Sequence, residues 1–232
     1  MIQNPEAEAL VSQLRNLSRP EGIAGQQRFG INGRNMLGVS IYDIRRIATG
    51  IHDHELALAL WDTEIHDARL MACFVDIPEK VTREQMDDWV NDFDTWDLCD
   101  QATTSLFHLT PLAIPAIYDW AERDEEFVRR AAFAIIAGLA WHNRDMTDIE
   151  FAPFFALIEK HSTDPRNYVK KGVNWALRNI GKRNESLLAQ SIHCAEDLLE
   201  INDRTARWIA KDALREFENR KSKGVHLQDK KC

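Results

Sequence analysis

The chain lacks the marks of several large protein classes. Its longest apolar run, Ala131 to Trp141, is too short to span a bilayer, so no membrane helix is expected. The opening MIQNPEAEALV has neither a basic n-region nor a signal-type apolar stretch, and a cytoplasmic protein is expected. Cysteine is scarce. Cys73, Cys99, Cys194 and Cys232 form no CxxC pair and no metal-ligand spacing, so reduced, structural thiols are expected. His52-Asp-His54-Glu55 lacks the HExxH spacing, and its two histidines fall about 200° apart on a helix, so no metal is expected. The glycines of RFGINGRNMLG (28–38) are not followed by the GK[ST] of a P-loop and mark a turn instead. Alternating runs joined by hairpin dipeptides are missing, which argues against a sheet.

What is present points to helices. The 232 residues, 44% of them hydrophobic, suffice for a substantial core. Ser40-Ile-Tyr-Asp43, Thr82-Arg-Glu-Gln85 and Thr147-Asp-Ile-Glu150 resemble capping boxes, and Thr110-Pro111 reads as an N-cap followed by proline at N1. Amphipathic stretches of about 10–16 residues lie between such signals, which predicts an all-α chain of a dozen or so helices.

The second half repeats. DEEFVRRAAF (124–133) aligns with PRNYVKKGVN (165–174), matching Val128 to Val169 and Arg129-Arg130 to Lys170-Lys171. DTWDLCDQAT (94–103) precedes them, and INDRTARWIAKDAL (201–214) follows with another basic helix. A two-helix unit of roughly 40 residues is the signature of HEAT-type repeats. Such units stack antiparallel helix pairs into an α-solenoid of the ARM/HEAT kind with a concave surface. Residues 1–220 are therefore expected to form one array, and 221–232 a basic, flexible tail.

Charge is distributed unevenly. The net charge is −8, yet residues 161–232 hold 15 basic and 10 acidic groups, whereas residues 1–160 hold 14 and 27. On a helical wheel of about 100° per residue, the second helix of each repeat has a core stripe and an opposite face. The stripes are Leu98, Ala102, Leu106 and Leu109; Val128, Ala132, Ile135, Ile136 and Leu139; Val169, Val173, Leu177 and Ile180; then Ala206, Ala210, Leu214 and Phe217. The opposite faces carry Trp96, Asp100, Thr103 and Phe107; Arg130, Ala134 and Ala137; Lys171, Asn174, Trp175, Arg178 and Lys182; then Arg204, Trp208, Lys211 and Arg215. Tryptophan beside arginine and lysine on a concave groove suits a sugar–phosphate backbone, unless the indoles pack against the preceding helix layer.

One stretch, DFDTWDLCDQ (92–101), places four aspartates around a tryptophan. Asp94 is positioned to cap the helix, Asp97 sits in the first turn where the helix dipole favours an anion, and Asp92 is expected to be solvated. Asp100 has none of these reasons to be there. It follows Trp96 by one turn on the same face, and its alternative role is a surface salt bridge to Arg130.

The set Trp96-Asp-x-x-Asp100, Val128-Arg-Arg130-Ala-Ala and Lys171-x-x-x-Trp175-x-Leu-Arg178 resembles the AlkD family of DNA alkylation repair glycosylases, over roughly Gln26 to Phe217. The resemblance implies hydrolysis of the N-glycosidic bond of cationic N3- or N7-alkylated purines, such as 3-methyladenine and 7-methylguanine, in duplex DNA. It implies that Asp100 is the catalytic carboxylate, that Trp96 and Trp175 flank the lesion's deoxyribose, and that Arg130 contacts the backbone beside them. Two residues depart from the family. Thr95 stands where a tryptophan pair begins, and Phe29 where a tyrosine is usual, which bears on rate and lesion range rather than on the class. Candidate DNA contacts are Arg28, Phe29, Lys170, Lys171, Asn174, Arg178, Lys182, Arg204, Trp208 and Lys211. The partner is then double-stranded DNA carrying alkylated bases, bound by a monomer without a cofactor. No lysine stands as a nucleophile beside Asp100, so no lyase step is expected. Two other readings fit a helical-repeat chain: a non-catalytic HEAT-like DNA-binding protein, for which Asp100 would be dispensable, and a protein-binding scaffold, which the basic, indole-bearing faces oppose.

Overall fold

The computed structural model describes residues 4–222. Thirteen α-helices and two short 3-10 turns occur among them, with no strand. Contacts gather into two compact units, Met1–Ala113 and Ile114–Cys232.

Unit 1 contains α1 (Pro5–Asn16), α2 (Pro20–Arg28), α3 (Ile41–Ala48), α4 (His54–Trp61), α5 (His66–Val75), α6 (Arg83–Asn91) and α7 (Trp96–Ser105). Helix α5 packs against both α3 and α7, while α1 and α4 contact each other. The core is Leu14, Ile44, Leu56, Leu60, Met71 and Met86, with Trp61 and Trp89 stacked at 3.9 Å. Helix starts follow the sequence signals. The hydroxyls of Ser40 and Thr82 accept the N–H groups of Asp43 and Gln85.

The expected core stripe of α7 fails after Leu106. There the backbone leaves helical geometry (φ −129°, ψ −64°), and a 3-10 turn over Phe107–Leu109 follows. The register shifts, so Phe107 is fully buried and Leu109 is 55% exposed, the reverse of what an unbroken helix predicts. Thr103, also expected on the outer face, is buried with its hydroxyl donating to the Cys99 carbonyl at 2.8 Å. Thr110 closes this turn by donating to the Phe107 carbonyl, and the next helix starts only at Ala113, so Thr110 is not its N-cap.

Unit 2 is built from α8 (Ala113–Ala121), which starts at the boundary, α9 (Glu126–His142), α10 (Asp148–His161), α11 (Asn167–Ile180), α12 (Glu185–Glu200) and α13 (Arg204–Ser222). Helices α9, α11 and α13 pack in succession, and α10 packs on α12, so alternate helices form two layers. Thr147 and Glu150 make the expected capping box. The aligned Val128 and Val169 are both buried. The α11–α13 approach is close: a β-carbon at Gly181 would lie 2.7 Å from the Phe217 ring. Helix α13 runs two residues past the expected array boundary at 220, and residues 223–232 of the expected tail, with Cys232, lie outside the described residues.

Helix α9 corrects a second expectation. Arg130, Ala134 and Ala137 were to face outward, but all three are buried. The helix is apolar on every side from Ala131 to Ala140, and such a helix is covered all round.

Three ionic groups fasten the α10–α11 corner. Arg129 and Arg166 both reach Asp164, at 2.8 Å and 2.9 Å. Burial pushes the Asp164 carboxyl up, but the two guanidiniums outweigh it and hold the pKa down to about 2. A carboxyl depressed on folding stabilises the fold above its unfolded value of 3.8 and loses that contribution as pH falls towards 2. Acid titration followed by circular dichroism is therefore expected to show Asp164→Asn already destabilised at pH 7, with a gap to the wild type that closes between pH 4 and pH 2.

Candidate functional site

In unit 1 the site is the start of α7. Thr95 occupies the N-cap but makes no side-chain bond to the helix, and its hydroxyl is buried and unpaired. Asp94 is not the cap. Its carboxylate accepts the Arg34 backbone N–H at 2.9 Å. Nor is Asp92 merely solvated. It accepts from Trp61 Nε1 and from Arg69 Nη2, each at 2.9 Å, and so ties the end of α6 to the α4–α5 pair. Asp97 lies in the first turn as expected, but its partner is His66, whose Nε2 is 3.0 Å from Asp97 Oδ2. Asp92, Asp94 and Asp97 thus have structural partners drawn from other elements.

Asp100 and Trp96 are both partly exposed and stand one turn apart on α7. The Asp100 backbone carbonyl accepts the hydroxyls of Thr103 and Thr104, at 3.1 Å and 2.6 Å. The indole of Trp96 is oriented by a bond from Nε1–H to the Phe29 carbonyl, 3.1 Å long. That carbonyl is available because α2 ends at Arg28 and Gly30 turns the chain at φ +79°, a conformation that glycine takes without strain. The Phe29 ring itself is 77% exposed, and Arg28 beside it is exposed.

In unit 2 the sequence-selected residues divide into two groups. Lys171, Arg204, Trp208 and Lys211 are exposed, and Lys170 is partly so, with its ammonium 4.8 Å from the centre of the Trp208 ring. This pair sets a cation on an indole face. Trp175 is half-buried on α11. The second group is engaged within the protein. Arg130 is buried along Gly172 and donates to the Tyr168 carbonyl at 2.8 Å. Asn174 is buried and donates to Asp212 at 2.7 Å. Arg178 pairs with Asp212 at 3.3 Å and with Glu216, and Lys182 pairs with Glu216. Burial pulls the Lys182 ammonium below its ordinary pKa, although Glu216 opposes this.

Asp212 and Glu216 escaped the sequence reading. Their signal was a carboxylate pair four residues apart on α13, matching the basic pair Arg178 and Lys182 on α11. Asp212 also binds Arg215, which otherwise would have extended the exposed basic stripe of α13.

The three cysteines among the described residues, Cys73, Cys99 and Cys194, are buried thiols that form no disulfide. Burial pushes the Cys194 thiol up to about 12, so it stays protonated at neutral pH. No helix among the described residues is long and apolar enough to cross a membrane.

Comparison with known proteins gives a consistent result. The family model described as "DNA alkylation repair enzyme" matches residues 10–223. No curated protein matches the chain. One solved structure is described as "a new family of proteins related to the HEAT-like repeat DNA glycosylases with affinity for branched DNA structures". It superposes with a TM-score of 0.74 at 16% identity, over 90% of this chain and 94% of that one. The structure of smu.31 from Streptococcus mutans UA159 superposes with a TM-score of 0.56 at 20% identity, over 75% of this chain and 90% of that one. At these identities the likeness establishes the fold, a HEAT-like helical repeat.

Proposed function

The chain belongs to the DNA alkylation repair enzyme family, and we propose that it is a monofunctional glycosylase, active as a cytoplasmic monomer without a cofactor, that removes cationic N3- and N7-alkylated purines from duplex DNA. The observation that carries this reading is that Asp100 stands partly exposed on α7, one turn from an indole oriented by the Phe29 carbonyl.

The chemistry suits one carboxylate. An N3- or N7-alkylated purine already carries positive charge, so it departs with the electrons of the glycosidic bond and needs no general acid. The sugar becomes oxocarbenium-like, and a water oxygen completes the hydrolysis. Asp100 stabilises the sugar cation and orients the water, whereas most sugar hydrolases require two carboxyl groups. The electron-rich face of Trp96 attracts the same cation. Discrimination then follows from the lability of the charged lesion rather than from base edges.

Phosphate binding falls to the exposed cations. Replacing Lys171 or Lys211 by alanine is expected to reduce the slope of log affinity against log salt by about one phosphate contact each. Arg178→Ala is expected to change it less, because Asp212 and Glu216 already neutralise that guanidinium. Filter binding from 50 to 200 mM salt would check both.

A second reading is favoured by one comparison, since a protein of the same fold has affinity for branched DNA. The two are separated by measuring free purine released from methylated duplex alongside affinity for a four-way junction. Base release favours the glycosylase. Tight junction binding with no release favours the branched-DNA binder.

A further inference from the structure

We propose that His66 is a positioning residue for this reaction, holding the first turn of α7 so that Trp96 and Asp100 are presented in one register. The inference rests on the reading of Asp100 above.

Helix α7 starts without the usual fastening, because Thr95 gives it no side-chain cap. Three bonds from outside the helix take over that task. Arg34 N–H reaches Asp94, Trp96 Nε1–H reaches the Phe29 carbonyl, and His66 Nε2 reaches Asp97. Only the last is deeply buried, with the His66 side chain 1% and Asp97 14% exposed. It is also the one that grips a residue between Trp96 and Asp100.

The imidazole is held on its far side as well. A β-carbon at Gly33 would lie 2.9 Å from His66 Nδ1 and 3.1 Å from Thr95 Cγ2, so the 31–38 loop rests directly on the ring. That loop is pinned in turn, because Leu37 and Val39 donate their N–H groups to Asp67 at 2.7 and 2.8 Å. His66 Nδ1 is buried without a hydrogen-bond partner. An apolar side chain would fill the space without that cost, so packing alone does not account for an imidazole here. Burial works to keep the ring neutral, but the Asp97 carboxylate, with Asp67 and Asp94 behind it, outweighs burial and raises the pKa above 6.5. The carboxylate acceptor makes this bond charge-assisted.

The same unit supplies a control. His54 and Asp76 form another buried histidine–carboxylate pair at 2.7 Å, which joins the start of α4 to the end of α5. The test compares His66→Ala, His66→Gln and His54→Ala. Excision of 7-methylguanine is followed under single turnover, well below each melting temperature, with duplex affinity measured in parallel. His66→Ala is expected to slow excision by about tenfold to a hundredfold, the scale for displacing a reacting group, with affinity little changed. His66→Gln keeps an N–H donor and should recover most of the rate. His54→Ala should lower the melting temperature but not the rate. Equal loss of rate in His66→Ala and His54→Ala, in step with lost stability, would overturn the proposal. A wild type that releases no base refutes the glycosylase reading, and amide exchange then decides the lock by itself. Faster exchange at the Asp100 and Gln101 amides in His66→Ala but not in His54→Ala supports it, and matching exchange in the two variants overturns it.

Discussion

Asp100→Asn is expected to fold and bind duplex DNA like the wild type while excising alkylated purines about a hundredfold or more slowly, the scale for losing one electrostatic stabiliser of a transition state. The substitution is isosteric, and Asp100 is only partly buried, so the cost to the fold is small. The two hydroxyl bonds in this turn go to the Asp100 backbone carbonyl, which asparagine retains. What changes, on the proposed reading, is the charge facing the oxocarbenium-like sugar. Single-turnover base release, with affinity from anisotropy and stability from thermal melting, separates these effects. A loss of rate with the other two unchanged is the expected pattern. Asp97→Asn makes a useful contrast, since it replaces a carboxylate that serves His66.

Trp96→Ala is expected to cut both excision and duplex affinity by about ten- to a hundredfold, in line with the ~1–3 kcal/mol attributed to an aromatic platform under a nucleotide. The indole contributes twice. On the proposed reading, its face meets the sugar and its developing charge. Its N–H bonds the Phe29 carbonyl and sets the angle of the ring. Trp96→Phe keeps an aromatic face and loses that bond, so it should fall between wild type and alanine, with the rate affected more than the affinity. Equal behaviour of the two variants would mean that the N–H bond carries the whole effect.

The helical-repeat fold was legible because its signals are local. The capping box at Thr147 and Glu150, and the valines at 128 and 169, need only a few neighbouring residues to be recognised, and all fall where expected. The roles of the clustered aspartates were not legible for the opposite reason. The partners of Asp92, Asp94 and Asp97 are Trp61, Arg34 and His66, which lie 31, 60 and 31 positions away. A helical wheel contains no such information. The wheel also assumes an unbroken helix, so it misplaced Thr103, Phe107 and Leu109 around the break at Leu106. The basic face of α11 was legible as residues but not as free charge, because Asp212 and Glu216 of α13 lie against it. Trp96 and Asp100 do lie one turn apart on α7, both partly exposed, because that spacing is a local property of the helix.

The central claim is that this chain breaks a glycosidic bond. Its most direct test is the release of free 7-methylguanine and 3-methyladenine from methylated duplex DNA, with protein in excess and the released bases resolved by chromatography. The account predicts release well above the spontaneous rate by the wild type and release near that rate by Asp100→Asn. A folded wild type that binds duplex DNA and releases neither base, or an Asp100→Asn variant that releases both at the wild-type rate, would contradict it.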